Sequence, residues 1–162
     1  MIVRPEQPGD VAAIHAVAQA AFGRGAEADL VDALRRDGDV LVSLVAELDG
    51  RIAGYILFSK LDCDAGLALA QLAPLAVEPA SQGRGIGGAL AKAGLAACRD
   101  LDLDGVVVLG HPTYYPRFGF SAEAAQALVS PFAGSPSYMA LALKPGVKLV
   151  GEARLAPAFD GL

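Results

Sequence analysis

Cysteine, histidine and tryptophan are scarce in this chain of 162 residues, which contains two, two and none of them. Cys63 and Cys98 lie far apart, and neither has a second thiol or a histidine at the spacing of metal ligands. His15 also stands without a ligand partner at such a spacing. The sequence therefore indicates neither a disulfide framework nor a metal site, and both thiols are interpreted as packed or inert.

Basic residues are in the minority, since 13 Lys and Arg accompany 18 Asp and Glu and the net charge is -5. A nucleic-acid binder needs a basic surface that displaces counterions from phosphates. No nucleic-acid partner is therefore expected, and the charge weakly favours a cationic substrate.

Long apolar runs are absent as well, although 54% of the residues are hydrophobic and only 19% are charged. No run approaches the roughly 20 residues that a membrane-spanning helix needs, so no membrane partner is expected. The segment Met1–Pro5 lacks the basic start and apolar core of a secretory signal, which favours a cytoplasmic location. The composition predicts one folded domain over residues 1–162.

The clearest local signal is a β-hairpin. Two segments rich in Val, Ile, Leu, Tyr and Phe, 40–48 and 51–60, flank Asp49-Gly50. This dipeptide suits a two-residue type I′ turn, in which both central residues have positive φ. The sequence therefore predicts two antiparallel strands here.

Apolar periodicity predicts the other elements. Leu30, Val31 and Leu34 form one stripe of a helix over 26–36, with Glu27 facing outward. Further helices are expected from Val11 and from Ile86, and 122–128 is interpreted as a short helix or a loop. The remaining predicted strands cover residues 1–4, 67–77, 105–110, 138–143 and 147–150.

Two of these strands flank a glycine-rich turn and a helix, which makes them parallel neighbours with a right-handed crossover. Together with the antiparallel hairpin they predict a mixed α/β sheet. Pro74 lies within the first of the two strands and cannot donate a ladder hydrogen bond. We therefore expect a bulge or an opening of the sheet just before the glycine turn.

The turn itself, Gln82-Gly83-Arg84-Gly85-Ile86-Gly87, contains three glycines, and Gly88 adds a fourth at the start of a helix. Such a backbone turns tightly, and the unpaired N–H groups of the first helical turn favour a phosphate. Arg84 adds a formal positive charge. Glycines used only for turning are the alternative interpretation.

Two other kinds of phosphate-binding loop can be compared with this glycine turn and with the residues after it. A Walker loop requires Lys followed by Ser or Thr, whereas Gly87 is followed by Gly88-Ala89. The dinucleotide fingerprint Gly-x-Gly-x-x-Gly fits literally at 83–88, but no clear acidic ribose partner follows. The Walker loop is excluded, and the dinucleotide loop stays a minor alternative.

The glycine loop resembles the Gln/Arg-x-x-Gly-x-Gly/Ala acetyl-CoA loop of the GNAT superfamily of N-acetyltransferases. Downstream, Tyr115-Pro116-Arg117-Phe118-Gly119-Phe120 looks like the Tyr-x-x-x-Gly-Phe segment of that superfamily. The segments 109–112 and 114–115 resemble a bacterial subgroup of predicted acetyltransferases. The resemblance extends from the first strand to about Phe120.

The resemblance implies the GNAT acyl-CoA N-acyltransferase fold, with a mainly antiparallel sheet and one splayed parallel pair that admits the pantetheine arm. It implies acetyl-CoA as the cofactor and an amine that attacks the thioester directly. The residues that would bind the cofactor are Leu75, Ala76, Val77, Gln82, Gly83, Arg84, Gly85, Ile86, Gly87, Gly88 and Ala89.

The same resemblance places Tyr115 opposite the departing sulfur, with aromatic packing as the alternative role. An alkylamine with a pKa of about 10.4 must lose a proton before attack. His111, at the end of a buried strand, is the candidate base beside a structural role, and Glu78 and Glu47 are further candidates. The expected acceptor is the primary amine of a small molecule or a protein.

Two questions stay open at this level. A noncatalytic acyl-CoA-binding or sensor module would keep the glycine loop and need neither Tyr115 nor a base. The sequence also leaves the oligomeric state undetermined between a monomer and a homodimer.

Overall fold

One mixed β-sheet flanked by helices organises the chain, in a computed structural model that describes residues 1–161. Leu162, the last residue of the predicted domain, lies outside the described residues. The helices are α1 (Val11–Phe22), α2 (Ala26–Asp37) and α3 (Ile86–Asp100). The strands are β1 (Ile2–Pro5), β2 (Val40–Leu48), β3 (Arg51–Cys63), β4 (Leu69–Val77), β5 (Gly105–Leu109), β6 (Leu128–Val129), β7 (Tyr138–Ala142) and β8 (Gly151–Leu155).

The sheet has the order β1-β2-β3-β4-β5-β7, and β8 pairs with both β3 and β6. Neighbouring strands are antiparallel except for β4–β5 and the two-residue pair β6–β8. The predicted mixed, mainly antiparallel sheet with one parallel pair around the crossover helix is confirmed.

The β2–β3 hairpin forms as the Asp49-Gly50 turn predicts. Both turn residues have positive φ, 54° and 78°, which is the geometry of a type I′ turn. Val45 pairs with Tyr55 and Leu48 pairs with Arg51 across the hairpin.

The parallel pair β4–β5 separates where the proline predicts. β4 pairs with β5 only from Leu69 to Gln71. On its other side, β4 meets β3 with a register shift between Ile56 and Phe58, opposite the segment that contains Pro74. The backbone of β4 beyond Gln71 therefore has no strand partner on the β5 side and can offer hydrogen bonds to a ligand.

The two faces of the sheet bury different sets of side chains, because successive residues of a strand point to opposite faces. Ile56 and Phe58 of β3 pack with α3. Tyr55 and Leu57 of the same strand pack with α1 and α2. Helix α3 is thus held on one face of the sheet, which fixes where its N-terminus lies.

Gly94 allows α3 to approach the sheet closely. A Cβ at Gly94 would lie 2.3 Å from Cε2 of Phe58, whose side chain is fully buried. Glycine at this position therefore permits the close packing of the helix on the sheet.

Gly94→Ala is expected to lower the free energy of unfolding by about 1–3 kcal/mol, because the added methyl overpacks the helix–sheet contact. Gly88 is the matched control on the same helix, since a Cβ there meets nothing within 4 Å. Gly88→Ala is expected to leave stability unchanged or raise it by up to about 1 kcal/mol. Urea titrations of both variants measure these two changes in the free energy of unfolding. Equal changes in the two variants would contradict the close packing at Gly94.

Two expectations from the sequence are wrong. The strand predicted over 147–150 is not formed; β8 lies at Gly151–Leu155 instead, where it pairs with the end of β3. Leu149 is buried in the core although it lies outside a strand. Glu27, expected on the outer face of α2, is only 7% exposed, because it faces a cavity described below.

Among residues 1–161, the helices are all too short or too polar to cross a lipid bilayer.

Candidate functional site

The glycine loop runs from the end of β4 to the start of α3 and takes a conformation that glycine favours. Gly83 and Gly85 have φ of 78° and 82°, in the left-handed region. The first helical hydrogen bond of the turn runs from the Ala89 N–H to the Gly85 carbonyl at 3.0 Å. The N–H groups of the preceding turn of α3 are thereby presented to a ligand at the positive end of the helix dipole.

A cavity of about 610 Å³ lies over this loop and is called the loop cavity. Most of the residues proposed to bind a cofactor line it, namely Leu75, Val77, Gln82, Gly83, Gly85, Ile86, Gly87 and Gly88. Ala76, Arg84 and Ala89 are not among its lining residues. Gln82 also fixes the loop, because its Nε2 donates to the Val77 carbonyl at 3.1 Å.

Tyr114 and Arg117 line the loop cavity too, and neither was singled out as a binding residue from the sequence. The Tyr114 hydroxyl lies against the loop, since a Cβ at Gly87 would be 2.9 Å from it. The Arg117 guanidinium lies 4.3 Å from the centre of the Tyr114 ring, and its Nε donates to the Tyr114 carbonyl at 2.8 Å. The cavity is thus lined by backbone amides, a phenol and a cation.

A second cavity of about 540 Å³, the strand cavity, lies where β4 has separated from β5. Its walls are mostly apolar and come from α1, α2, β3, β4, β7, β8 and the segments after β5, β6 and β8. The described polar residues that line it are Arg24, Glu27, Gln71, His111, Ser130, Tyr115 and Tyr138.

The two cavities meet, because Leu75, His111 and Tyr115 line both of them. A thioester bound from the loop side and an acceptor bound from the strand side would therefore come together at these three residues. Leu75 lies on β4, whereas His111 and Tyr115 follow β5. The predicted crossover between these two strands brings the three residues together.

Tyr115 is held rigidly at this junction. Its side chain is buried, and its ring makes edge-to-face contacts with Tyr114 and Phe120 at centroid distances of 5.2 and 5.9 Å. A Cβ at Gly110 would lie 2.4 Å from the ring. Burial raises the pKa of Tyr115 to about 12, so its hydroxyl remains a proton donor at neutral pH.

His111 is an exposed residue at the end of β5, and its backbone carbonyl accepts a hydrogen bond from the Tyr114 N–H at 3.0 Å. The two glutamates considered as bases lie elsewhere. Glu47 pairs with Arg4 at 2.8 Å, while Glu78 pairs with Arg51, whose hydrogen bond lowers the pKa of that carboxyl. Neither glutamate is among the described residues that line the two cavities.

His15, which has no ligand partner at sequence spacing, lies beside an acidic residue of α2 in the fold. Its Nδ1 lies 3.0 Å from Asp32, and the ligand atoms of His15, Asp29 and Asp32 lie within 4.8 Å of one another. This cluster belongs to α1 and α2, and its members are not among the described residues that line the two cavities.

The sequence from α1 to the turn after β5 matches a known family. A model of the Acetyltransferase (GNAT) family covers residues 11–120, which is more than half of the chain. This chain belongs to the GNAT family of acetyltransferases. The resemblance inferred from the glycine loop and the Tyr115–Phe120 motif is confirmed, and the dinucleotide alternative is not supported.

Relatives within the GNAT family share sequence and fold with this chain. The uncharacterized N-acetyltransferase YhbS of Escherichia coli is 39% identical over 126 residues, which cover 76% of this chain and 75% of the relative. The crystal structure of YhbS in complex with CoA superposes with a TM-score of 0.88 and 34% identity, covering 98% of this chain and 91% of that chain. A GNAT family acetyltransferase from Brucella melitensis, crystallised with acetyl-CoA, gives a TM-score of 0.83 and 37% identity. The match covers 98% of this chain and 97% of that chain.

Four residues that line the two cavities were not predicted from the sequence as site residues: Arg24, Glu27, Tyr114 and Arg117. Tyr114 and Arg117 adjoin or lie within the Tyr-x-x-x-Gly-Phe motif, so the motif itself could have indicated them. Glu27 and Arg24 carry no such signal, because their neighbourhood depends on how α1 and α2 dock on the sheet.

Proposed function

We propose that this GNAT acetyltransferase moves the acetyl group of acetyl-CoA to a primary amine of a small molecule or a protein. The observation that carries the proposal is the meeting of the loop cavity and the strand cavity at Leu75, His111 and Tyr115. Cofactor and acceptor would approach from opposite sides of one reacting centre. In support, relatives at 34% and 37% identity were crystallised with CoA and acetyl-CoA.

The loop cavity fits the cofactor. The φ values of Gly83 and Gly85 turn the loop, and the amides of the first turn of α3 suit a pyrophosphate. Arg84 and Arg117 would add positive charge. The backbone of Leu75, Ala76 and Val77 would bind the pantetheine arm, because β4 has no strand partner on the β5 side at this point.

Acetyl-CoA supplies a thioester whose carbonyl carbon forms a bond to nitrogen as its bond to sulfur breaks. The amine loses a proton in this exchange, and the departing sulfur gains one. His111 would accept the proton of the amine, and the Tyr115 hydroxyl would donate a hydrogen bond to the departing sulfur, which takes up the proton that His111 releases. A β4 backbone N–H near Ala76 or Val77 would stabilise the developing negative charge on oxygen.

His111→Ala is expected to lower kcat for acetyl transfer at least about tenfold, because general base catalysis contributes roughly 10²–10⁴-fold. Imidazole added to the variant is expected to restore part of the rate, since it can occupy the space of the lost ring and accept the same proton. Steady-state rates with and without imidazole measure both effects. Full activity of His111→Ala would remove His111 from the proposal.

A noncatalytic acyl-CoA-binding module is the competing function, and it requires the loop cavity alone. Binding is tested by calorimetric titration of the protein with acetyl-CoA, for which we expect a Kd below about 1 mM. Absence of binding by folded protein would contradict both functions. Binding without acetyl transfer to any primary amine of a broad panel would favour the module.

A further inference from the structure

A buried carboxylate faces the strand cavity. Glu27 lies in the first turn of α2, is 7% exposed and lines this cavity, away from the loop cavity. Among the described residues that line the two cavities, it is the one carboxylate. A carboxylate is rarely buried unless it is paired or binds a cation.

Arg24 pairs with Glu27 through a single nitrogen. Its Nε lies 2.6 Å from Oε1 and 3.1 Å from Oε2 of Glu27, while the Arg24 side chain is 67% exposed. Each oxygen of an ionised carboxylate can accept about two hydrogen bonds. Glu27 therefore retains acceptor capacity, while Arg24, which also lines the cavity, keeps most of its side chain in solvent.

The other walls of the strand cavity are mostly apolar, although six further polar residues also line it, namely Arg24, Gln71, His111, Tyr115, Ser130 and Tyr138. Its walls include side chains from α1, α2, β4 and the segments that follow β6 and β8, among them Phe22, Leu30, Leu72, Pro74, Phe132 and Phe159. Phe22, Leu109 and Phe132 are 41%, 44% and 37% exposed, so a ligand at the mouth would cover apolar surface that now contacts water. Covering such surface favours binding.

We propose that the acceptor is a small primary amine with an apolar body and no carboxylate, and that Glu27 is the residue that selects it. This assignment rests on the proposed acetyl transfer. In water the acceptor is an ammonium ion, because the pKa of an alkylamine is about 10.4. Glu27 offers the counter-charge that a cation needs in an apolar cavity, whereas it repels a carboxylate on the acceptor.

The test compares ligands that differ by one group. Calorimetry on the CoA-loaded protein measures binding of 2-phenylethylamine, of phenylalanine, which adds a carboxylate, and of 2-aminoethanol, which lacks the apolar body. We expect 2-phenylethylamine to bind at least about tenfold more tightly than either of the others. This comparison uses the native chain and does not depend on a folded variant.

Glu27→Gln keeps the shape of the side chain and removes its charge. This substitution is expected to weaken the binding of 2-phenylethylamine at least about tenfold. It is also expected to reduce the difference in affinity between 2-phenylethylamine and phenylalanine. Glu123→Gln is the matched control, because Glu123 is exposed and is not among the described residues lining either cavity. This control is expected to bind all three ligands as the native protein does.

The outcomes separate the two proposals. Tighter binding of phenylalanine than of 2-phenylethylamine would assign recognition to Arg24 and overturn the role of Glu27. Unchanged affinities in Glu27→Gln would overturn it as well. Binding with the expected selectivity but without acetyl transfer would support the Glu27 assignment and contradict the proposed function. Acetyl transfer to other amines without binding of 2-phenylethylamine would support the proposed function and contradict the Glu27 assignment.

Discussion

Tyr115→Phe is expected to lower kcat for acetyl transfer by about 10²-fold or more, the size of effect typical of a proton donor in the transition state. The phenol is buried at the junction of the two cavities, so water does not readily replace it. In the proposed mechanism, removal of its oxygen would deprive the departing sulfur of its hydrogen-bond donor, while the ring would keep its packing against Phe120.

Steady-state kinetics with acetyl-CoA separate this role from a structural one. Tyr114→Phe is the informative comparison, because Tyr114 contacts the glycine loop and lines only the loop cavity. It is expected to change KM for acetyl-CoA more than kcat, whereas Tyr115→Phe changes kcat. Equal kcat for native protein and Tyr115→Phe would remove Tyr115 from the mechanism.

The pH profile gives an independent check on Tyr115. Its pKa is raised to about 12 by burial, so the hydroxyl keeps its proton well above neutral pH. The native kcat is therefore expected not to fall between about pH 8 and about pH 10, where an unperturbed tyrosine with a pKa near 10 begins to ionise. A decline in this range that Tyr115→Phe abolishes would contradict the burial described above.

Gly87→Val is expected to weaken acetyl-CoA binding at least about tenfold, since forcing a side chain into a filled contact costs roughly 1–3 kcal/mol. A Cβ at Gly87 would already be 2.9 Å from the Tyr114 hydroxyl, and the larger valine extends toward the loop cavity. Both effects displace groups that line the proposed cofactor site.

Calorimetry with acetyl-CoA measures this change, and the melting temperature verifies that the variant is folded. Gly9→Val is the control, because a Cβ at Gly9 meets nothing within 4 Å and Gly9 is not among the described residues lining either cavity. Gly9→Val is expected to retain native affinity. Native affinity in folded Gly87→Val would mean that the cofactor binds elsewhere.

The elements with strong local signals were predictable from the sequence. Asp49-Gly50 defines its turn through backbone preferences alone, and Pro74 disrupts the ladder wherever the strand lies. The glycine loop and the Tyr115 motif belong to one crossover unit, so their order along the chain already indicated one site.

The errors arose where long-range packing overrides local pattern. The segment 147–150 has the apolar composition of a strand, yet Gly151–Leu155 pairs instead, because β3 extends to Cys63 and offers it a partner. Glu27 has the position of an outward residue in the helical pattern of α2. Its burial depends on the cavity that forms where α2 meets β4 and the C-terminal segments, which no local pattern encodes.

Acetyl transfer by this protein is measured directly by analysis of its products. Native protein is incubated with acetyl-CoA and a panel of primary amines that includes 2-phenylethylamine, and acetylated amine and free CoA thiol are quantified together. We expect both products to appear in equal amounts and Tyr115→Phe to slow the formation of both alike. Binding of acetyl-CoA without either product, across the whole panel, would contradict it.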